Sequence, residues 1–155
     1  MADHVIIQVR DAVIAKLKTG VTLVTNRVFT TDEEPQDDAS LPFVMVELME
    51  DSAERLSIGG FGTILEDLTH TMMIHCVVKA LGDVEQAAFA IRAQVESTLL
   101  GSTAGATLDG KVPNTRRTGA STTRRSNGEY EGYCVALQFE FTIRHLEHNA
   151  DSFSS

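Results

Sequence analysis

Four arginines, Arg116, Arg117, Arg124 and Arg125, sit in the polar segment 111–132, KVPNTRRTGASTTRRSNGEYEG. A guanidinium is a planar fork that grips phosphate or carboxylate. The first question is therefore whether these forks face a nucleic acid or a protein. A nucleic-acid surface needs a continuous basic face and stacking aromatics, and no aromatic residue occurs from Thr115 to Ser126. If the segment is a strand, simple alternation sends Arg116 and Arg124 to one side and Arg117 and Arg125 to the other. The charge is then divided. In a hairpin, Glu129, Glu131 and Glu140 come opposite. Cross-strand or intersubunit ion pairs are the expected role, with contact to a passing polyanion the second reading. The formal net charge of -9, from 13 Lys plus Arg against 22 Asp plus Glu, repels polyanions at long range.

Other reactive side chains lack partners at useful spacing. The five histidines, His4, His70, His75, His145 and His148, include no His-x-x-x-His pair. His145 and His148 would share a face only in a helical tail, and no carboxylate or thiol completes a zinc site there. His70 and His75 fall on opposite sides of one strand. The two cysteines, Cys76 and Cys134, lie in apolar runs and are expected as buried free thiols; Cys76 has no evident base. No serine stands in a Gly-x-Ser-x-Gly context. The acid clusters Asp32–Glu34 and Asp37–Asp38 do not match a calcium loop and read as solvated. Gly59, Gly60 and Gly62 are not followed by Gly-Lys-Ser/Thr, so they mark a turn rather than a phosphate loop. No catalytic residue, metal or cofactor is expected, and the chain is read as a non-enzyme.

The elements that carry these residues follow from periodicity. The 155 residues, 43% apolar and 23% charged, suit one domain able to bury a sizeable core. No apolar run is long enough for a membrane helix, and the start lacks a signal peptide's pattern. A soluble protein in a reducing compartment is expected. Ile6, Val9, Val13 and Leu17, with Val5 and Ala12, predict a helix capped by Asp3 and ended by Gly20. VTLVTNRVF predicts a short strand or link, and TTDEEPQDDAS an exposed loop. LPFVMVELMED is apolar enough for a central strand. In SAERLSIGGFGTILED, Leu56, Ile58, Phe61 and Ile64 are scattered among polar groups, as in a hairpin extension or long loop.

LTHTMMIHCVVKAL is a second strand, with Met72, Ile74, Cys76 and Val78 on one face. GDVEQAAFAIRAQVESTLLG is a helix with Asp83 and Gln86 at capping-box spacing. Its stripe is Val84, Ala88, Ile91, Val95 and Leu99; Ala87, Ala88, Ala90 and Ala93 are small enough for close packing. STAGATLDG reads as a flexible connection. In YCVALQFEFTIRH, Tyr133, Val135, Leu137, Phe139, Phe141 and Ile143 alternate without a break, so one face is buried. Asn127-Gly128 is a turn signal that makes the arginine segment the first half of a hairpin. The sum is an α+β fold: a mainly antiparallel sheet with two helices on one face and a late β-hairpin. One domain over 1–148 and a polar tail over 149–155 are expected.

This order of elements resembles the tail terminator proteins of long-tailed bacteriophages. The likeness runs from about residue 4 to 146. It rests on the first helix up to Gly20, the link NRVFTTDEEP, the strand LPFVMVELMED, the glycine-bearing hairpin before THTMMIHCVVKA, the helix DVEQAAFAIRAQVESTLL, and the strand pair ending in GYCVALQFEFTIRH. Segment 101–132 is enlarged relative to shorter members. The resemblance implies a structural protein that assembles as a hexameric ring on the last ring of tail tube protein. Such a ring ends tube growth and presents the surface that meets the head-tail connector protein, with DNA passing through its lumen. It implies assembly in the host bacterial cytoplasm and a final place at the neck end of the virion tail. Residues 51–67, with Leu56, Ile58, Phe61 and Ile64, would project toward a neighbouring subunit or tube ring. Arg116, Arg117, Arg124 and Arg125 would lie at a subunit or tube contact. Apolar residues of that kind make sense where another chain covers them. The alternatives are another phage neck or tail-completion protein, or a nucleic-acid binder using the arginine hairpin. A small hydrolase is the third.

Overall fold

The first helix, α1 (Val5–Gly20), forms because Val5, Val9, Val13 and Leu17 recur every four residues and all four are fully buried. Ile6 and Ala12 pack at the flanks of this stripe. The cap is His4, whose Nδ1 accepts the Ile6 N–H at 3.1 Å; Asp3 falls outside the described residues. This computed structural model describes residues 4–33, 41–58, 64–79, 83–110, 112–127 and 130–146. Gly20 closes α1 for a reason other than a left-handed cap. A Cβ there would overlap the side chain of Thr98, so the missing atom lets the helices meet. The left-handed backbone comes later, at Thr25 and Asn26 (φ 49° and 65°), after a 3-10 turn over Thr22–Val24.

That turn leads into β1 (Val28–Thr30), followed by β2 (Phe43–Ile58) and β3 (Ile64–Lys79). A 3-10 turn over Thr31–Glu33 occupies the start of the expected acidic loop, and Glu33 Oε1 accepts the Thr30 N–H at 3.0 Å. These Thr30 hydrogen bonds, backbone first and hydroxyl second, hold the Glu33 carboxyl below its ordinary range. The acid here closes a turn. Residues 34–40 lie outside the described set.

The sheet has the order β1-β2-β3-β5-β4, with β4 (Asn114–Asn127) and β5 (Tyr130–Leu146) closing it. β1 runs parallel to β2 and every other pairing is antiparallel. β2 is central at its start, as its apolar run predicts: Val44 and Val46 join the core under the helices, while Phe43 and Met45 join a second cluster on the far side. The segment after Asp51 is a hairpin extension rather than a loop. β2 and β3 pair as far as Ile58↔Ile64, with register shifts between Leu48 and Asp51 and between Arg55 and Ser57. Sixteen residues make each of these strands about 50 Å long.

β5 alternates as expected, with Val135, Leu137, Phe139, Phe141 and Ile143 buried toward the helices. Its other face differs from expectation. Cys134 and Ala136 are buried there too, packed with Phe43, Met45 and Val77. A strand can bury both faces at one end and only one at the other, and period-two alternation does not separate these cases.

α2 (Val84–Leu100) is capped by Asp83, whose Oδ1 accepts the Gln86 N–H at 3.1 Å. Ala88, Ile91, Val95 and Leu99 form its buried stripe. Of the four small residues, Ala88 packs in this stripe, while Ala87, Ala90 and Ala93 face outward. The expected flexible connection is instead a capped turn, α3 (Thr103–Ala106). Ser102 Oγ accepts the Gly105 N–H at 3.1 Å, and a Cβ at Gly105 would overlap the Thr98 carbonyl. Leu108 and Asp109 are left-handed (φ 48° and 58°), which turns the chain toward β4 and buries Leu108. The result is α+β, a mixed and mostly antiparallel sheet with the helices on one face.

Candidate functional site

β4 is an edge strand, and it holds the arginines. Arg116 lies opposite Glu140 on β5, and its Nη2 donates to Glu140 Oε2 at 2.9 Å. This is one of the cross-strand pairs the sequence suggests. Arg117 lies opposite Phe139 and reaches the helix layer, where its Nε meets Glu96 Oε2 at 2.9 Å. Glu96 also accepts from Arg92 Nε at 2.9 Å, and the Arg92 guanidinium sits 5.3 Å from the Phe89 ring centroid. The side chains of Arg116 and Arg117 remain 68% and 37% exposed, so both pairs are solvent-screened and individually weak.

The expected division of the arginines is corrected by a bulge. The register passes from Arg117↔Phe139 to Gly119↔Gln138, so Thr118 is extra and parity flips beyond it. By register, Arg125 joins the side of Arg116 and Arg124 joins the side of Arg117. The side chains of Arg124 and Arg125 are outside the described set.

The other expected contact residues fall elsewhere. Leu56 and Ile58 are on β2, Ile64 is on β3, and Phe61 lies outside the described residues. Leu56, Ile58 and Ile64 belong to the far end of the β2–β3 hairpin. Eight residues separate Ile64 from Met72, which shares a row with Phe139 and Arg117, so the two sets are about 25 Å apart. They form two places on one sheet. His145 belongs to β5 rather than to a helical tail, and His148 lies outside the described residues.

Three further features escaped the sequence. The first is a polar chain on the helix-free face: Glu47 Oε1 is 3.1 Å from His75 Nε2, and Cys134 Sγ is 3.6 Å from His75 Nδ1. Each residue is on a different strand, so no local spacing announces them. The imidazole uses opposite nitrogens, so the ligand atoms do not converge on one point. Among the described residues no group of three or more His, Cys, Asp or Glu could hold a metal ion. Cys134 is fully buried, which removes it from any substrate. Cys76, on the helix side of the adjacent strand, is also free and buried, and burial pushes its thiol pKa far up.

The second feature is His70, only 5% exposed, with neither ring nitrogen hydrogen-bonded. It lies opposite Asp51 on β2 and Phe141 on β5. Burial holds its pKa below the ordinary value; Asp51 opposes the shift and His4 adds to it. The third is an apolar groove of about 370 Å³, lined by Leu23, Leu41, Pro42, Val78, Ala87 and Ile91 among others. It sits at the opposite end of the sheet from the hairpin tip.

No family model and no curated protein matches the chain. Among solved structures, it is similar to a chain in the virion of a native gene transfer agent particle, with a TM-score of 0.54 and 17% identity. The match covers 86% of this chain and 93% of that one. This chain shares the fold of a virion component. At that identity the likeness is one of fold.

Proposed function

We propose that this protein is a structural component of a phage-type tail. More finely, it is a tail terminator: a ring, hexameric by the family likeness, that caps the tail tube, ends its polymerisation and offers the surface for head-tail joining. The observation that carries this is the near end-to-end match of an α+β fold to a chain of a virion. The mechanism is binding. The far end of the β2–β3 hairpin, with Leu56, Ile58, Phe61 and Ile64, and the β4 edge, with Arg116, Arg117, Arg124 and Arg125, supply the docking surfaces. Tail tube protein and head-tail connector protein are the partners, and DNA passes through the lumen unbound. An acidic chain suits that passage, because a lining poor in cations gives phosphates little to hold. Its place is the neck end of the virion tail, reached by assembly in the host bacterial cytoplasm.

The test is light scattering and negative-stain imaging of the protein alone and with purified tail tubes. Rings, or a cap that halts tube growth, are expected. A strict monomer that neither binds tubes nor limits their length overturns the proposal. Arg116→Glu with Arg117→Glu should weaken assembly while circular dichroism stays unchanged.

A further inference from the structure

We propose that copies of this chain join edge to edge, the outer edge of β4 in one adding as a strand to the outer edge of β2 in the next. The inference rests on the ring reading and names the contact that would build it.

Both edges are open among the described residues. β4 ends the sheet and has β5 on one side only, along fourteen residues. β1 pairs with the outer side of β2 at Val44–Val46 and the 3-10 turn Thr31–Glu33 also lies against β2, but among the described residues no strand pairs with that side from Glu47 to Ile58. Rows of unpaired ladder groups are a ready template for another chain. Strands blunt such an edge with proline, charge or a bulge. β4 has no proline, but it has four arginines and the bulge at Thr118, so only an edge that brings carboxylates suits it, along the regular stretch Asn114–Arg117.

The charges of the two edges are opposite. β4 brings Arg116 and Arg117; the matching stretch of β2 holds Glu47, Glu50 and Asp51, the last two exposed. A guanidinium has five N–H donors, so each arginine can keep Glu140 or Glu96 and still meet a second carboxylate. Opposite-sign edges favour this pairing over β4 with β4 or β2 with β2, which would set like charges together.

Direction and level also agree. β2, β3, β5 and β4 are linked by three antiparallel pairings, so β4 runs opposite to β2. A rotation about an axis along the strands preserves direction, and the joint is then antiparallel. Such a rotation adds no shift along the strands. Rows across the sheet connect Thr115, Phe141, His70 and Asp51, and likewise Arg117, Phe139, Met72 and Leu48. Arg116 therefore lies level with Met49 and Glu50, and Asn114 with Ser52. The unshifted neighbour brings the arginine pair onto the acidic stretch. Two different edges make a heterologous contact, the kind that closes a ring.

The experiment is Ser52→Cys with Asn114→Cys in the full chain, oxidised after assembly and run on a non-reducing gel. Opposed residues in an antiparallel pair are close enough for a disulfide. A covalent ladder up to ring size is expected, with none from either single variant. A charge swap supplies the second measurement. Arg116→Glu with Arg117→Glu should cut assembly at least about tenfold, and adding Glu50→Arg with Asp51→Arg should restore it. Rings that form without the ladder and without restoration overturn the edge pairing and leave the ring reading standing. A chain that forms no ring, alone or on tubes, overturns both.

Discussion

His70 carries the clearest consequence at the scale of single residues. Its ordinary pKa of 6.5 is lowered in the fold by burial. Above that value folded and unfolded chains both hold it neutral, and stability is complete. As pH falls through the lowered folded value, the unfolded chain has already taken the proton, so stability is lost. Thermal melts of the parent from about pH 7 to about pH 5 should show this acid limb, and His70→Leu should flatten it. An equal slope in both proteins would remove His70 as the cause. The thiols give a second prediction. Cys76 and Cys134 are both fully buried on opposite faces of adjacent strands. A thiol reagent should label neither in the native protein and both after guanidinium unfolding. Fast native labelling of one would show that its cover opens. At this scale the sequence was partly legible. The opposite placement of His70 and His75 follows from strand parity, whereas Arg116 meets Glu140 only because the bulge at Thr118 shifts the register by one. The link from Glu47 through His75 to Cys134 does not, because three strands must first align.

Among the elements, the packing of α1 on α2 is decided by an atom that is missing. A methyl group at Gly20 meets Thr98, whose hydroxyl is held by the Gln94 carbonyl at 2.7 Å. Gly20→Ala should cost about 1–3 kcal/mol by urea denaturation. Thr98→Ala in the same chain should recover most of it; additive losses would refute the clash. Leu17→Ala, at a fully buried site on α1, should cost about 2–5 kcal/mol by the same measurement. The helices and β5 were readable because their periods of about 3.6 and two carry burial directly. The bulge at Thr118 was not, because one extra residue leaves no mark in composition. It reassigns Arg124 and Arg125 between faces, so every statement about the arginine hairpin turns on it.

For the whole molecule, an acidic chain with local arginines that already hold Glu140 and Glu96 should not retain duplex DNA at about 0.15 M salt in a gel-shift assay. Retention that disappears on arginine substitution would favour the nucleic-acid reading over assembly. The proposed ring asks more of the molecule than its core does, since it needs two different edges at matching levels. The sequence by itself determined the helices, the buried stripes, the late hairpin and the α+β class, because alternation and capping are local and each residue reports its own neighbourhood. Only the tertiary structure decided the strand order, the second buried cluster, the parity of the arginines and the open acidic edge of β2. Those depend on which distant strands pair and in what register, and pairing is a property of the assembled sheet rather than of any segment within it.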